Sequence, residues 1–152
     1  MKKKVFAYLY DAHYPKVKNV DFTKIDYVNY SFGKIKDHTL DLSHTKHLEE
    51  YLTAAEGKTK TILSVGGWGA GGFSEMASTQ ETRKIFVDSI LNAIEKYGFA
   101  GIDLDWEYPT SSVAGIASSP EDKVNFTLLL QDLRDAFSNN KPDTILTIAV
   151  GA

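Results

Sequence analysis

Ala100-Gly101-Ile102-Asp103-Leu104-Asp105-Trp106-Glu107-Tyr108-Pro109 places three carboxylates at every second position of an otherwise apolar run. In a strand successive side chains alternate between faces. Asp103, Asp105 and Glu107 therefore project from one side, while Ile102, Leu104 and Trp106 fill the other. A strand whose acidic face is simply wet is the plain alternative. It fits badly, because a buried parallel strand normally reads as a near-continuous run of Val, Ile and Leu, and aspartate is depleted in strands. Carboxylates two residues apart sit about 6.6 Å from each other. At an effective dielectric of about 20, two full charges there repel by about 2.5 kcal/mol, equivalent to about two pKa units. One of the three is expected to hold a proton near neutral pH, and a protonated carboxyl beside an ionised one is the equipment of general acid catalysis.

Short apolar runs and helical patterns alternate on either side of this stretch. Strands are expected at Val5 to Tyr10, Tyr27 to Gly33, Thr61 to Val65 and Thr144 to Val150. A helix capped by Ser43 runs to about Glu56, with Leu48, Tyr51, Leu52 and Ala55 on one face and Gly57 after it. Ser78 with Glu81 makes a capping box for a second helix, which carries Ile85, Phe86, Ile90, Ile94 and Tyr97 inward and stops at Gly98. After a loop from Tyr108 to Ser118, Ser119-Pro120-Glu121 opens a third, with Leu129, Leu130, Leu133 and Phe137 at helical spacing and Pro142 beyond its end. The order βαβαβαβαβ predicts parallel strands joined by right-handed crossovers. An open doubly wound sheet and part of a (β/α)8 barrel both satisfy it. In either, chemistry collects at the carboxyl ends of the strands, where Glu107 falls.

The 152 residues are 43% hydrophobic, enough for one core and one domain. The net charge of -3 is spread without blocks, so neither a nucleic acid nor a membrane is an expected partner. With no cysteine, disulfides, thiolate catalysis and cysteine metal sites are excluded. Met1-Lys2-Lys3-Lys4 carries the charge of a signal peptide, but the apolar stretch after it is short and broken by Asp11. His44 and His47, beside Lys46, read as a solvated helix face rather than metal ligands, and no metal site or cofactor is expected.

Ser64-Val65-Gly66-Gly67-Trp68-Gly69-Ala70-Gly71-Gly72 contains the spacing of a dinucleotide fingerprint, Gly67-x-Gly69-x-x-Gly72. That fingerprint wants a helix starting on its last glycines and an acid about 20 residues on, at the end of the next strand. Here the residues at that distance, Asp88 to Asn92, fall inside a helix. The better reading is a loop whose glycines let backbone approach a ligand while Trp68 offers an aromatic face.

Ser64-x-Gly66-Gly67 at the third strand, followed by Asp103-x-Asp105-x-Glu107 at the fourth, resembles the double signature of glycoside hydrolase family 18. Trp106-Glu107-Tyr108-Pro109 is similar to its chitinases, and Tyr8 and Asn29-Tyr30-Ser31-Phe32 fall where that family has similar residues. One departure is Ala100, where the family often has a further aspartate; its absence is expected to weaken the outer hydrogen bonding of the acids. The resemblance implies a (β/α)8 barrel and retaining hydrolysis of β-1,4-linked N-acetylglucosamine polymers, with the substrate's own acetamido group as nucleophile. It implies Glu107 as acid and base and Asp105 as the group that holds the acetamido N–H and stabilises the oxazolinium. Asp103 is implied as a buried support, sharing a proton with Asp105 and steadied by Ser64 and Tyr8. Trp68, Trp106, Tyr30 and Tyr108 are implied as aromatic surfaces for sugar rings, with Gly66 and Gly67 completing the binding set. The sugar-chain alternatives are an endo-acting enzyme on glycoprotein glycans and a non-hydrolytic chitin-binding relative.

Such a barrel takes about 250 residues. Residues 1–152 are then expected to be its N-terminal portion, about strands one to five with helices one to four, lacking strands six to eight. Sheet edges at the first and fifth strands would be exposed, open to self-association or to a missing C-terminal half, and little activity is expected from the chain alone. Related chitinases are commonly secreted, but no signal peptide is read in this chain.

Overall fold

The computed structural model describes residues 3–150. Five parallel strands form one sheet in the order β1-β2-β4-β5-β6: β1 (Phe6–Tyr10), β2 (Tyr27–Lys36), β4 (Lys60–Gly66), β5 (Gly101–Asp105) and β6 (Ile145–Ile148). A short strand β3 (Thr39–Asp41) pairs antiparallel with the far end of β2. Helices α2 (Leu48–Ala55), α4 (Gln80–Tyr97) and α5 (Asp122–Asn140) are the crossovers, and α1 (Tyr14–Val17) and α3 (Phe73–Ala77) are single turns in the loops after β1 and β4. The architecture is α/β and forms part of a (β/α)8 barrel. No described helix is long and apolar enough to cross a membrane.

Alternation along the strands decides which side chains meet the helices. Leu9, Val28, Tyr30, Leu63, Val65, Ile102 and Leu104 are buried on the helix side. There α4 lays down Phe86, Ile90 and Ile94, and α5 Leu129, Leu133 and Phe137. Buried Arg83 of α4 clamps the two helices together, its Nε 2.7 Å from Asp132 of α5. The other face carries Tyr8, Asn29, Ser31, Ser64, Asp103 and Thr147. On β1 that face is open: Phe6, Tyr8 and Tyr10 are each about half exposed. Among the described residues β1 pairs only with β2, and β6 only with β5.

Several element boundaries differ from the sequence expectation, each for a local reason. The helix expected from Ser43 begins at Leu48, because Ser43 N–H turns back to the Asp41 carboxylate and Asp11 captures the amides of Lys46 and His47. His44 and His47 accordingly precede the helix instead of lying on it. The cap of α4 is Thr79, in a reciprocal box with Thr82; Ser78 instead donates to the Glu75 carbonyl at the end of α3. The α5 helix begins at Asp122 and β6 is four residues long, both shorter than expected.

Candidate active site

The acids sit at the carboxyl end of β5, in graded surroundings. Asp103 is 1% exposed. Its Oδ2 accepts from the Tyr8 hydroxyl of β1 at 2.8 Å and from Ser64 Oγ of β4 at 2.8 Å. Its Oδ1 accepts from Thr147 Oγ1 of β6 at 2.6 Å. Register explains the convergence, since Ser64 and Thr147 are the direct cross-strand partners of Asp103 on either side. Three neutral donors satisfy this carboxylate. Burial and the hydrogen bond to Asp103 push the Tyr8 phenol up to about 12.

Asp105 lies one pleat further out. Burial first, then the charges of Glu107 and Asp103 and a hydrogen bond with Glu107, raise its carboxyl to about 6; Lys34 pulls the other way. The crowding anticipated from the sequence thus falls on Asp105. Glu107 follows beyond the last strand residue and is only partly buried. Tyr108 hydrogen-bonds to Glu107, which raises the phenol. The loop that carries both is anchored by Asp122, wholly buried, which accepts from Ser74 Oγ (2.7 Å), Ser119 N (2.8 Å) and Thr110 N (3.2 Å).

The glycine loop closes on the same acid. Gly66 has φ +120°, and a Cβ there would collide with the Asp105 carbonyl. Gly67, at φ +85°, donates its amide to that carbonyl at 2.9 Å and lies against the Phe32 ring. Both glycines are buried, so they act through Asp105 by letting the end of β4 lie directly on β5. Trp68, 63% exposed, stands beyond them with its ring centroid 6.4 Å from that of Tyr108, edge to face. These two rings are the aromatic surface beside Glu107.

Two expected sugar platforms are corrected. Tyr30 is fully buried, stacked on Tyr51 and donating its hydroxyl to Asp11. Trp106 is 2% exposed, stacked on Phe73 at 5.1 Å and edge-on to Phe126. Both occupy the parity of Val28, Ile102 and Leu104, which points to the helices. Ala100 is also of that parity, at the opposite end of β5, roughly 10 Å along the strand from Asp103. An aspartate there would not reach the acids, and Tyr8, Ser64 and Thr147 already make the outer hydrogen bonds.

Sequence reasoning missed Thr147, Asp122 and Lys34. A lone Thr at the inward position of β6 was the available signal for the first. The other two depend on loop geometry and on a register shift between Ser31 and Gly33 that no period reveals. A cavity of about 1030 Å³ lies at the other rim, around Tyr27, Thr59, Lys60, Ala100, Lys141 and Thr144. It contains none of the three acids, which converge at the carboxyl ends of the strands.

Graded carboxylates beside exposed aromatic rings thus converge at the carboxyl rim of a parallel sheet, where α/β folds of this kind collect their functional residues. Residues 4–152 match the family model Glycosyl hydrolases family 18, and the chain belongs to that family. It is 37% identical to Chitotriosidase-1 of Mus musculus over 147 residues, which is 88% of this chain and 30% of that protein. A family 18 N-acetylglucosaminidase from Paenibacillus barengoltzii superposes with a TM-score of 0.87 at 39% identity, covering 99% of this chain and 46% of the enzyme. The chitinase domain of the spore coat protein CotE from Clostridium difficile gives 0.86 at 35%, covering 99% and 42%. The chain thus spans less than half the length of these relatives.

Proposed function

We propose that these residues form the acid end of a site that hydrolyses β-1,4 N-acetylglucosamine linkages of chitin or chito-oligosaccharides, with retention and with assistance from the substrate's acetamido group. The observation that carries the reading is the gradient along one face. Asp103 is enclosed by hydroxyls, Asp105 is raised to about 6, and Glu107 is outermost beside Tyr108. A general acid must reach the glycosidic oxygen and then water, which suits the outermost group. Glu107 protonates the leaving oxygen and later activates water. Asp105 accepts the acetamido N–H and stabilises the positive oxazolinium. Asp103, enclosed by the three hydroxyls, is the buried support behind Asp105. Glycosidases of this family lie outside the two-carboxylate scheme, so carboxyl separation does not set the stereochemistry. Trp68 and Tyr108 face the sugar.

The half-exposed Phe6, Tyr8 and Tyr10 leave the inner face open on the β1 side. We infer that turnover needs a further polypeptide segment or a second chain against the β1 and β6 edges, and that residues 1–152 alone turn over slowly. To test the reading, residues 4–152 are grafted in place of the matching portion of the Paenibacillus barengoltzii enzyme and assayed on chito-oligosaccharides. Glu107→Gln is expected to lower turnover by at least roughly a hundredfold without loss of folding. Equal rates for the graft and its Gln variant would remove Glu107 from the mechanism.

A further inference from the structure

Lys34 is a half-buried ammonium with no carboxylate within salt-bridge distance among the described residues. A cation drawn out of water without an ion pair is costly and calls for a reason. Its Nζ donates to the Gly66 carbonyl at 2.7 Å and stands 5.4 Å from the centroid of the Phe32 ring. Gly66 is the cross-strand partner of Asp105, and the next amide, Gly67 N–H, holds the Asp105 carbonyl. The ammonium is therefore fastened to the residue that lies against the middle acid. Burial lowers the Lys34 pKa and the Asp105 charge raises it, so the two groups feel each other.

We propose that Lys34 is a positioning residue for the middle acid, pinning the Gly66–Gly67 turn onto Asp105 and setting a positive charge near it that favours its ionised form. The catalytic meaning rests on the hydrolysis proposed above, where an ionised Asp105 stabilises the positive oxazolinium. From the elements around it Asp105 meets Tyr8 of β1, Lys34 of β2 and Asp103 of its own strand. Glu107 and Tyr108 face it from the following loop. Lys34 is the cation of that set. Neighbouring acids and desolvation favour the neutral form of Asp105, and the ammonium opposes both.

The test is a carboxyl ¹³C NMR titration of the 152-residue chain without substrate, comparing wild type, Lys34→Met, Lys34→Gln and Lys34→Arg. Because the carboxylates are coupled, the apparent midpoint at the Asp105 carboxyl carbon is the quantity compared. Removing the charge in Lys34→Met or Lys34→Gln is expected to raise that midpoint by about half a pH unit. Lys34→Arg, which keeps the charge, moves it by less than half as much. The Gly67 amide resonance shifts in the Met and Gln variants, reporting release of the turn. An unmoved Asp105 midpoint in whichever neutral variant folds overturns the proposal, as does an equal shift in Lys34→Arg, which would reduce Lys34 to packing. Since the titration needs no substrate, its failure is separate from any failure of Glu107→Gln to abolish turnover in the graft.

Discussion

Replacing Asp105 by asparagine should stabilise the fold above pH 6 and leave it unchanged near pH 4. The folded-state value of about 6 stands about two pH units above the ordinary 3.8. A group raised in this way holds a proton in the folded chain that the unfolded chain has released. Its contribution is therefore fully present below about pH 4 and is lost as pH rises to 6 and beyond. At about 1.36 kcal/mol per pH unit the full penalty for ionised Asp105 approaches about 3 kcal/mol. The carboxylate is only partly buried, so solvent screening cuts this to roughly half, about 1.5 kcal/mol. Asp105→Asn removes the charge, keeps the shape and can still hydrogen-bond to Glu107. Urea denaturation of both proteins from pH 4 to 7.5 should show curves that coincide at the acid end. They should diverge to about 1.5 kcal/mol in favour of Asn at pH 7, equivalent to roughly 3–6 °C in Tm. A stability difference independent of pH, or one favouring Asp105 at pH 7, would refute the argument that this acid is held against its own ionisation.

The two tryptophans should separate by role. Trp106→Ala should cost about 3–5 kcal/mol in chemical denaturation, because its ring is enclosed by Phe73 and Phe126. Trp106→Phe should cost far less, since the indole N–H finds no hydrogen-bond partner among the described residues. Trp68→Ala should change stability by no more than about 0.5 kcal/mol and weaken chito-oligosaccharide binding roughly three- to tenfold by calorimetry. Gly66→Ala should lose more than about 3 kcal/mol or fail to fold, as seen by circular dichroism, because a positive φ coincides with a Cβ directed into the Asp105 carbonyl.

Periodicity made most of this molecule legible. Strand and helix order, the parallel sheet and the inward set of acids all follow from alternation at Asp103, Asp105 and Glu107 and from helical spacing at Phe86, Ile90 and Ile94. The same alternation, applied strictly, places Tyr30 and Trp106 on the helix side. Their assignment to sugar binding came from aromatic character and likeness, and the structure sides with parity. Helix starts were less legible because the capping groups come from afar. Asp11 lies 36 residues before the His47 amide it accepts, so the local Ser43 signal was outcompeted. The short β3 hairpin and α3 turn escaped because three to five residues carry no period.

The choice of partners around Asp103 and Asp105 explains how one strand yields acids of different character. Tyr8, Ser64 and Thr147 satisfy Asp103 with hydroxyl hydrogens, uncharged donors that lower the cost of burying a polar group. One pleat away Asp105 is raised by burial first, then by the charge of Glu107 and then by that of Asp103. An arginine in place of the hydroxyls would have offset that contribution and left burial and the Glu107 charge to raise Asp105. The cation is placed instead at Lys34, anchored to the Gly66 carbonyl on the neighbouring strand and near the second acid of the row. Neutral donors behind and a positive group beside leave Asp105 close to half-protonated near pH 6. An unshifted aspartate at that position would be almost wholly ionised at that pH.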